Sequence, residues 1–456
     1  MDVRGEKVVV VGMGRTALAL VRLLLREGAR PIVSEREDSD RLRPLVEELE
    51  GLGVDYECGG HTKRAFAGAS LVIPSPGAPP SIEPIRQAEE DGASVFGEME
   101  FAYGHCRSRI LAVTGTNGKT TTTALLHRII ATCGHSVALA GNNDSPFSEA
   151  VMADPPPEFV VLEVSSYQLE RVRRFRPWIG AVLNVSPDHL ARHRTMEEYA
   201  LVKQRIFANQ EEGDIAVLNH DDFIAASMVV PEGAERWYFS LEERVPRGLW
   251  MAGDAICDGD NAVAGRTDTV LPGRHNLENV LAALTMARAG DFSWPEVLKG
   301  LHAFEGVEHR IEHVATCGGV AFYNDSKSTN VESLRVALES FDGPVVLLAG
   351  GRGKGADYRV LRDLVQRRVR RLVVMGEDAP ALEAAFGDLV PATRAVDMAD
   401  AVRLGSAEAR PGDVVLLSPA CASFDMYENF EQRGHAFKDS VIEYAKGLRE
   451  CSGRAC

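Results

Sequence analysis

The sequence predicts an α/β protein of three domains: a Rossmann-like N-terminal domain, a central P-loop ATPase-type domain with a parallel sheet, and a C-terminal Rossmann-like domain. Three observations lead there. Apolar strand-like runs alternate with helical spacing along the whole 456-residue chain, the pattern that builds parallel sheets. A glycine turn, Gly12-x-Gly14-x-x-Ala17, follows the first such run. A second turn, Gly115-Thr116-Asn117-Gly118-Lys119-Thr120, sits between the apolar run 110–114 and the helix-like stretch 121–130. The expected domains are 1–105, 106–306 and 307–456.

In the first block, Lys7–Val11 reads as a strand, 17–27 as a helix and 31–34 as a second strand. A further strand at 69–73 runs into the proline-rich turn 74–80. The middle block adds strands at 159–164, 179–185 and 215–219, then a Gly- and Asp-rich stretch, 235–272, expected to be a small β excursion. The last block repeats the alternation, with strands at 320–323, 345–348, 371–375 and 414–417 and helices around 331–340, 358–368 and 430–449. Residues 451–456 are expected to fray.

Composition is that of a soluble globular protein, 45% apolar and 25% charged. No apolar stretch approaches the roughly 18 residues of a membrane span. The N-terminus lacks a signal-peptide layout, so a cytoplasmic location without membrane insertion is expected. A net charge of −16 argues against a nucleic-acid binder, yet leaves room for anionic substrates met by local positive charge. The eight cysteines form no C-x-x-C pair and read as free thiols. A monomer is expected.

The turn 115–120 has the architecture of a phosphate-binding loop. Backbone N–H groups and a helix N-terminus favour phosphate oxygens, Lys119 reaches terminal phosphates, and the Thr120 hydroxyl suits Mg²⁺. The strict pattern has a glycine where this chain has Val113, so the loop is a compressed variant. The turn Gly12–Ala17, with Glu35 after the second strand, would also suit a dinucleotide. No hydride-transfer constellation accompanies it, which argues against a dehydrogenase. Glu163 ends an apolar strand and is a candidate Mg²⁺ ligand; Asp188 and His189 leave another strand. His189 and His193 have i,i+4 spacing, but no Glu follows His189, so a zinc protease pattern is absent.

The ordered set Thr114–Thr120, Glu163-x-Ser-Ser-x-Gln-Leu-Glu170, Asn184-Val-x-x-Asp-His189, Tyr199-x-x-x-Lys203, Gly273-Arg-His-Asn276 with Asn279, His309-Arg310 and 324–330 resembles the Mur ligase family across the chain. The runs 417–425 and 429–434 are similar to the members that add D-glutamate. The resemblance implies ATP-dependent amide formation with UDP-N-acetylmuramoyl-L-alanine and D-glutamate as substrates. It implies ATP with two Mg²⁺ ions, Mn²⁺ being able to substitute.

The family match assigns ATP to Gly115, Thr116, Asn117, Gly118, Lys119, Thr120, Thr121, Asn276, Asn279, Arg310 and Asp325. It assigns metal to Thr120, Glu163, His189 and a carbamylated Lys203, and places Lys119, Lys203, His189 and Lys327 at the chemistry. Gly14, Arg15, Thr16, Glu35, Arg36, Ser75, Pro76 and Gly77 would meet the UDP part, with Asn142 and Ser165 also on substrate. Thr329, Lys354, Ser423, Phe424 and Phe430 would form the D-glutamate pocket. The chain departs from the family at Arg36, Asn143, Asp144, Ala191 and Phe424. The alternatives are a related ligase using L-glutamate or another amino acid, and a non-catalytic nucleotide-binding regulator.

Overall fold

The computed structural model describes residues 2–79, 82–143 and 145–452, without the side chains of 190–191 and 448–452. Pro80 of the proline-rich turn, Asp144 and residues 453–456 of the expected frayed end lie outside the described residues, as does the side chain of Ala191. Cys451 and Ser452 close the last helix, Phe430–Ser452.

Among the described residues the strands form three sheets. The N-terminal sheet holds β1 (Lys7–Val11), β2 (Arg30–Ser34), β3 (Asp55–Glu57), β4 (Leu71–Pro74) and β5 (Ser94–Val95), all parallel, in the order β3-β2-β1-β4-β5. The run Val8–Val11 is buried throughout, as a parallel strand covered on both faces requires. The helix Arg15–Arg26 buries Ala17, Leu20, Val21 and Leu24 against this sheet's side of the core.

The central sheet holds β6 (Arg109–Thr114), β7 (Val137–Gly141), β8 (Phe159–Glu163), β9 (Ile179–Val182), β10 (Ile215–Asn219), β11 (Glu235–Ser240), β12 (Gly248–Ala252), β13 (Ala255–Asp258) and β14 (Asn261–Gly265), in the order β14-β13-β12-β11-β10-β9-β6-β8-β7. It corrects the expected parallel sheet: β7 through β12 are parallel, but β13 and β14 are antiparallel. The reason is local. Gly253-Asp254 and Gly259-Asp260 leave two-residue connections, which only antiparallel neighbours can use. The Gly/Asp excursion therefore extends the sheet.

The third sheet holds β15 (Glu312–Cys317), β16 (Val320–Asn324), β17 (Val345–Gly350), β18 (Val369–Met375), β19 (Ala392–Arg394) and β20 (Val414–Leu417), in the order β15-β16-β20-β17-β18-β19. Only the β15–β16 pair is antiparallel among these described strands.

The chain divides into two compact units, Met1–Thr269 with Glu278–Ala303, and Val270–Leu277 with Phe304–Cys456. The first holds the N-terminal and central sheets, whose buried residues form one continuous core including Val8, Leu24, Phe101, Phe147 and Val160. No described helix is long and apolar enough to cross a membrane.

Two buried acids tie the helix Glu98–Tyr103 to central segments. Glu98 accepts from the Ser148 N–H at 2.6 Å and from the Ser148 hydroxyl. Glu100 accepts the N–H groups of Arg173, Arg174 and Phe175 at 2.9–3.0 Å. Glu98→Ala strands both Ser148 donors in the core. The expected cost is about 1–3 kcal/mol, read as a lower urea midpoint, with Glu98→Gln losing less.

Candidate functional site

The phosphate loop leaves β6 at its C-terminal end and enters the helix Lys119–Thr132. Gly118 caps that helix at φ 85°, and a Cβ there would lie 2.0 Å from Asn279 Oδ1, so both backbone and packing demand glycine. The segment after β9 pins the loop. Asn117 N–H donates to Asn184 Oδ1 at 2.8 Å, and Ser186 N–H donates to Thr116 Oγ1 at 3.0 Å. The Tyr199 hydroxyl is 3.3 Å from the same Thr116 oxygen. Lys119 Nζ donates to the carbonyls of Gly115 and Thr116, both at 2.9 Å. Thr120 and Thr121 occupy the first turn, half-buried.

Lys203 reaches the same place from the helix Met196–Gln204, whose N-cap Thr195 accepts from Glu198 N–H. Its side chain is 1% exposed, and Nζ donates to the Gly115 carbonyl at 2.8 Å. It lies 4.4 Å from the Tyr199 ring centroid. Burial first, then the charge of Lys119, pushes the Lys203 amine well below the ordinary lysine range, against the pull of Asp188.

Glu163 ends β8, beside Val113 of β6, and is 3% exposed. Its Oε1 accepts from Asn142 Nδ2 at 3.0 Å; its Oε2 is buried with no hydrogen-bond partner among the described residues. An orphaned carboxylate oxygen is costly unless a cation completes it, so the residues present fit a divalent metal here. Ser165 caps the next turn, reciprocally bonded with Gln168. His189 stands exposed at φ 53°, with Nδ1 3.2 Å from the Tyr167 hydroxyl and Nε2 3.3 Å from Asp188.

His193, which the sequence offered only as half of a zinc spacing, is buried. Its Nε2 is 3.0 Å from Ser166 Oγ and its Nδ1 3.6 Å from Glu170, which grips Arg192 at 2.6 Å. The imidazole is 5.7 Å from the Tyr167 ring and 5.0 Å from Tyr199. Ser166, Glu170 and His193 thus buttress Tyr199 and Tyr167. Four-residue spacing on a helix-like run, which places His193 one turn beyond His189, was the available signal.

At the N-terminal sheet, Gly12 has φ 98°, and a Cβ there would lie 2.9 Å from that of Ser75, so the two turns sit side by side. Gly14 and Thr16 are half-buried; Arg15, Arg36, Ser75 and Gly77 are exposed, and Pro76 is half-buried. The Glu35 carboxylate accepts Met13 N–H at 2.7 Å and Glu37 N–H at 2.8 Å. It therefore holds the glycine turn itself. Arg192 Nη1 reaches the Ala78 carbonyl at 3.3 Å, and Asn142 is exposed.

In the second unit, Asp325 follows β16 and is buried. It accepts from Ser418 Oγ at 2.9 Å and Ile311 N–H at 3.3 Å. Burial pushes its carboxyl up to about 7, opposed by Ser418 and Arg310. The Lys327 ammonium lies 5.1 Å from the Phe430 ring centroid. Ser423 is buried, Thr329 half-buried, Arg310 and Lys354 exposed, and Phe424 64% exposed. Phe424 thus offers backbone more than packing. Asn276 donates to the Pro272 carbonyl at 2.8 Å. The helix Arg274–Ala289 gives Asn276 to this unit and Asn279 to the first.

Arg433, inside the quoted 429–434 run but given no role, is 2% exposed. It donates to Ser326 Oγ at 3.0 Å, the Ser326 carbonyl at 2.8 Å and the Cys421 carbonyl at 3.0 Å. It locks the 421–423 turn to the segment carrying Lys327.

The raised Asp325 carboxyl gives the second unit a pH dependence. Its folded value, about 7, exceeds its ordinary 3.8, so the folded state holds the extra proton between them. That stability is complete below about 4 and is lost as pH rises through about 7. Urea midpoints should fall from pH 5 to pH 8, and Asp325→Asn should flatten that slope.

Three family descriptions match the chain in order: Mur ligase MurD-like N-terminal domain over residues 6–97, Mur ligase middle domain over 113–287, and Mur ligase glutamate ligase domain over 309–421. The UDP-N-acetylmuramoylalanine–D-glutamate ligase of Pelotomaculum thermopropionicum is 43% identical, covering 98% of this chain and 99% of its own. The ligase of the same name from Koribacter versatilis is 40% identical over the same shares. Among solved structures, MurF ligase from Thermotoga maritima in complex with ADP shares the fold at TM-score 0.59 and 19% identity, covering 97% of each chain. UDP-N-acetylmuramate-alanine ligase from the same organism has TM-score 0.59 at 17% identity, covering 97% of this chain and all of that one. With three matching regions in order and full-length relatives at about 40% identity, the chain belongs to the Mur ligase family.

Proposed function

We propose that the chain uses ATP to join D-glutamate to UDP-N-acetylmuramoyl-L-alanine, a step of peptidoglycan precursor synthesis. The observation that carries the reaction class is the meeting of Lys119 and Lys203 on the Gly115 carbonyl, beside the orphaned oxygen of Glu163. The choice of D-glutamate is supported by the names of the full-length relatives and by the 417–434 run.

A carboxylate is a poor electrophile, because its charge is delocalised. Transfer of the terminal phosphoryl group of ATP to the acceptor's carboxylate gives an acyl phosphate and ADP. The amine of D-glutamate attacks the acyl carbon, and the tetrahedral intermediate expels phosphate. Each state is anionic and needs fixed positive charge and donors.

The loop N–H groups, Lys119 and the Thr120–Thr121 turn hold the ATP phosphates, with Asn276, Asn279, Arg310 and Asp325 completing the nucleotide set. Mg²⁺ would be held by Thr120 and Glu163 and, at a second position, by His189 and carbamylated Lys203, and would supply charge neutralisation. Lys203 fits carbamylation because only the neutral amine attacks CO₂, and its burial beside Lys119 favours that form. The resulting anion also relieves the repulsion between the lysines. Gly14, Arg15, Thr16, Glu35, Arg36, Ser75, Pro76, Gly77, Asn142 and Ser165 receive the UDP-sugar. Lys327 serves the transferred phosphoryl group. Thr329, Lys354, Ser423, Phe424 and Phe430 receive D-glutamate.

ADP release should require UDP-N-acetylmuramoyl-L-alanine and D-glutamate together, with L-glutamate at least ~100-fold poorer in kcat/KM, as a site that pairs both carboxylates would enforce. Equal turnover with L-glutamate would move the chain to a sibling activity. Absence of turnover despite ATP binding would favour the regulator reading. Lys203→Ala should lose roughly 10²–10³-fold in kcat, recovered in part by millimolar short-chain carboxylates; full activity without them rules out the carbamate.

A further inference from the structure

A cleft of about 690 Å³ opens at the opposite edge of the central sheet from the phosphate loop. Its walls are the residues leading into β6, β9 and β10, neighbouring parallel strands, so it faces their N-terminal ends. The six residues of β6 separate it from Gly115, roughly 20 Å of extended chain. Its volume lies in the range of about 300–1,000 Å³ that small-molecule pockets occupy.

Four arginines, Arg107, Arg109, Arg174 and Arg176, line it against two carboxylates, Glu212 and Asp214. Their charges are not equally committed. Arg176 is neutralised, with Nε 2.5 Å from Asp214 and a second contact to Glu211. Arg174 comes only within 3.5 Å of Glu100, whose carboxylate is already bonded to three backbone N–H groups. Arg107 and Arg109 have no ion pair among the described residues. The Arg109 guanidinium lies over the Trp178 ring, 4.8 Å from its centroid. A guanidinium held over an aromatic ring can still direct N–H donors at a planar or tetrahedral anion. Tyr103 and Trp178 add flat apolar surface. On a chain of net charge −16, two uncommitted arginines in a concave, aromatic-lined cleft are a localised attraction for anions.

We propose that this cleft is a second ligand site, taking a small phosphate-bearing anion with its phosphate on Arg107 and Arg109. The cleft lies where the helix Glu98–Tyr103 passes into β6, so its occupant bridges the end of the N-terminal region and the entry of the central sheet. No part of the phosphate loop takes part in binding.

Cys106 lines the same cleft, half-buried, so its slow alkylation, followed by peptide mass mapping, reports occupancy at that point. Inorganic pyrophosphate or ADP, without Mg²⁺ and at several times its Kd, should slow Cys106 alkylation by about threefold or more. The rate at Cys317 should be unchanged. Protection by pyrophosphate supports recognition of the phosphate alone; protection by ADP only supports a site that also needs the base. Arg107→Ala/Arg109→Ala should lose protection while keeping its unfolding midpoint, and Lys119→Ala should retain it. The proposal is overturned if neither anion protects Cys106, if the double arginine variant is protected like the parent, or if Lys119→Ala abolishes protection.

Discussion

Two lysine side chains donate to one carbonyl oxygen, that of Gly115, and much of the first unit can be read as the means of holding them there. Two ammonium groups sharing one acceptor repel each other, on top of the cost of burying Lys203. The fold keeps this arrangement by over-determining its surroundings. Thr116 is held by Ser186 and Tyr199, Asn117 by Asn184, and the Tyr199 ring packs against both the Lys203 ammonium and the buried His193. The repulsion is answered chemically when Lys203 is neutral, the form its surroundings favour. A second cation beside a buried amine shifts that amine toward its uncharged form, whatever use the site makes of it.

Parallel topology explains why the pieces converge. The C-terminal ends of β6, β8 and β9 lie side by side and deliver the phosphate loop, Glu163 and the Asn184–Ser186 segment to one sheet edge. Ligands gather at that edge in open α/β sheets because helix N-termini and loop N–H groups point there. Glu163 Oε2 is the clearest mark of an incomplete constellation. Asp425 Oδ1 is likewise buried without a donor among the described residues, but Glu163 Oε2 is the one that stands at the phosphate-loop edge, where a cation would complete it.

The same physics decided what the sequence could reveal. The loop was legible because Gly118 and the apolar runs around it are local demands, each visible within a few residues. Glu163 was legible because a carboxylate that ends an apolar strand stands out. The strands β3, β5, β7, β15 and β19 were not. Asp55–Glu57 and Ala392–Arg394 have three residues each, too few for a period, and β7, at the central sheet's edge, is mostly half-buried. The β13–β14 reversal was encoded by two Gly-Asp turns but required knowing which strands they joined. Glu35 stood out as an acid after the second strand, but its bonds to Met13 and Glu37 depend on loop curvature that no local pattern expresses.

The second unit shows the limit of residue-by-residue transfer. Ser423 and Phe424 are adjacent, yet one is buried and the other 64% exposed, so a change of side chain at 424 alters little packing within the unit. The geometry there rests on Arg433, whose three hydrogen bonds fix the 421–423 turn against Ser326 from a helix ten residues further on. Burying a guanidinium pulls its pKa down to about 10, a cost accepted only because every arm meets a carbonyl or hydroxyl. An arginine that touches only backbone and a serine has no chemical signature in sequence. Its importance is geometric: it fixes the 421–423 turn against the segment that carries Lys327, a separation no exposed wall could set.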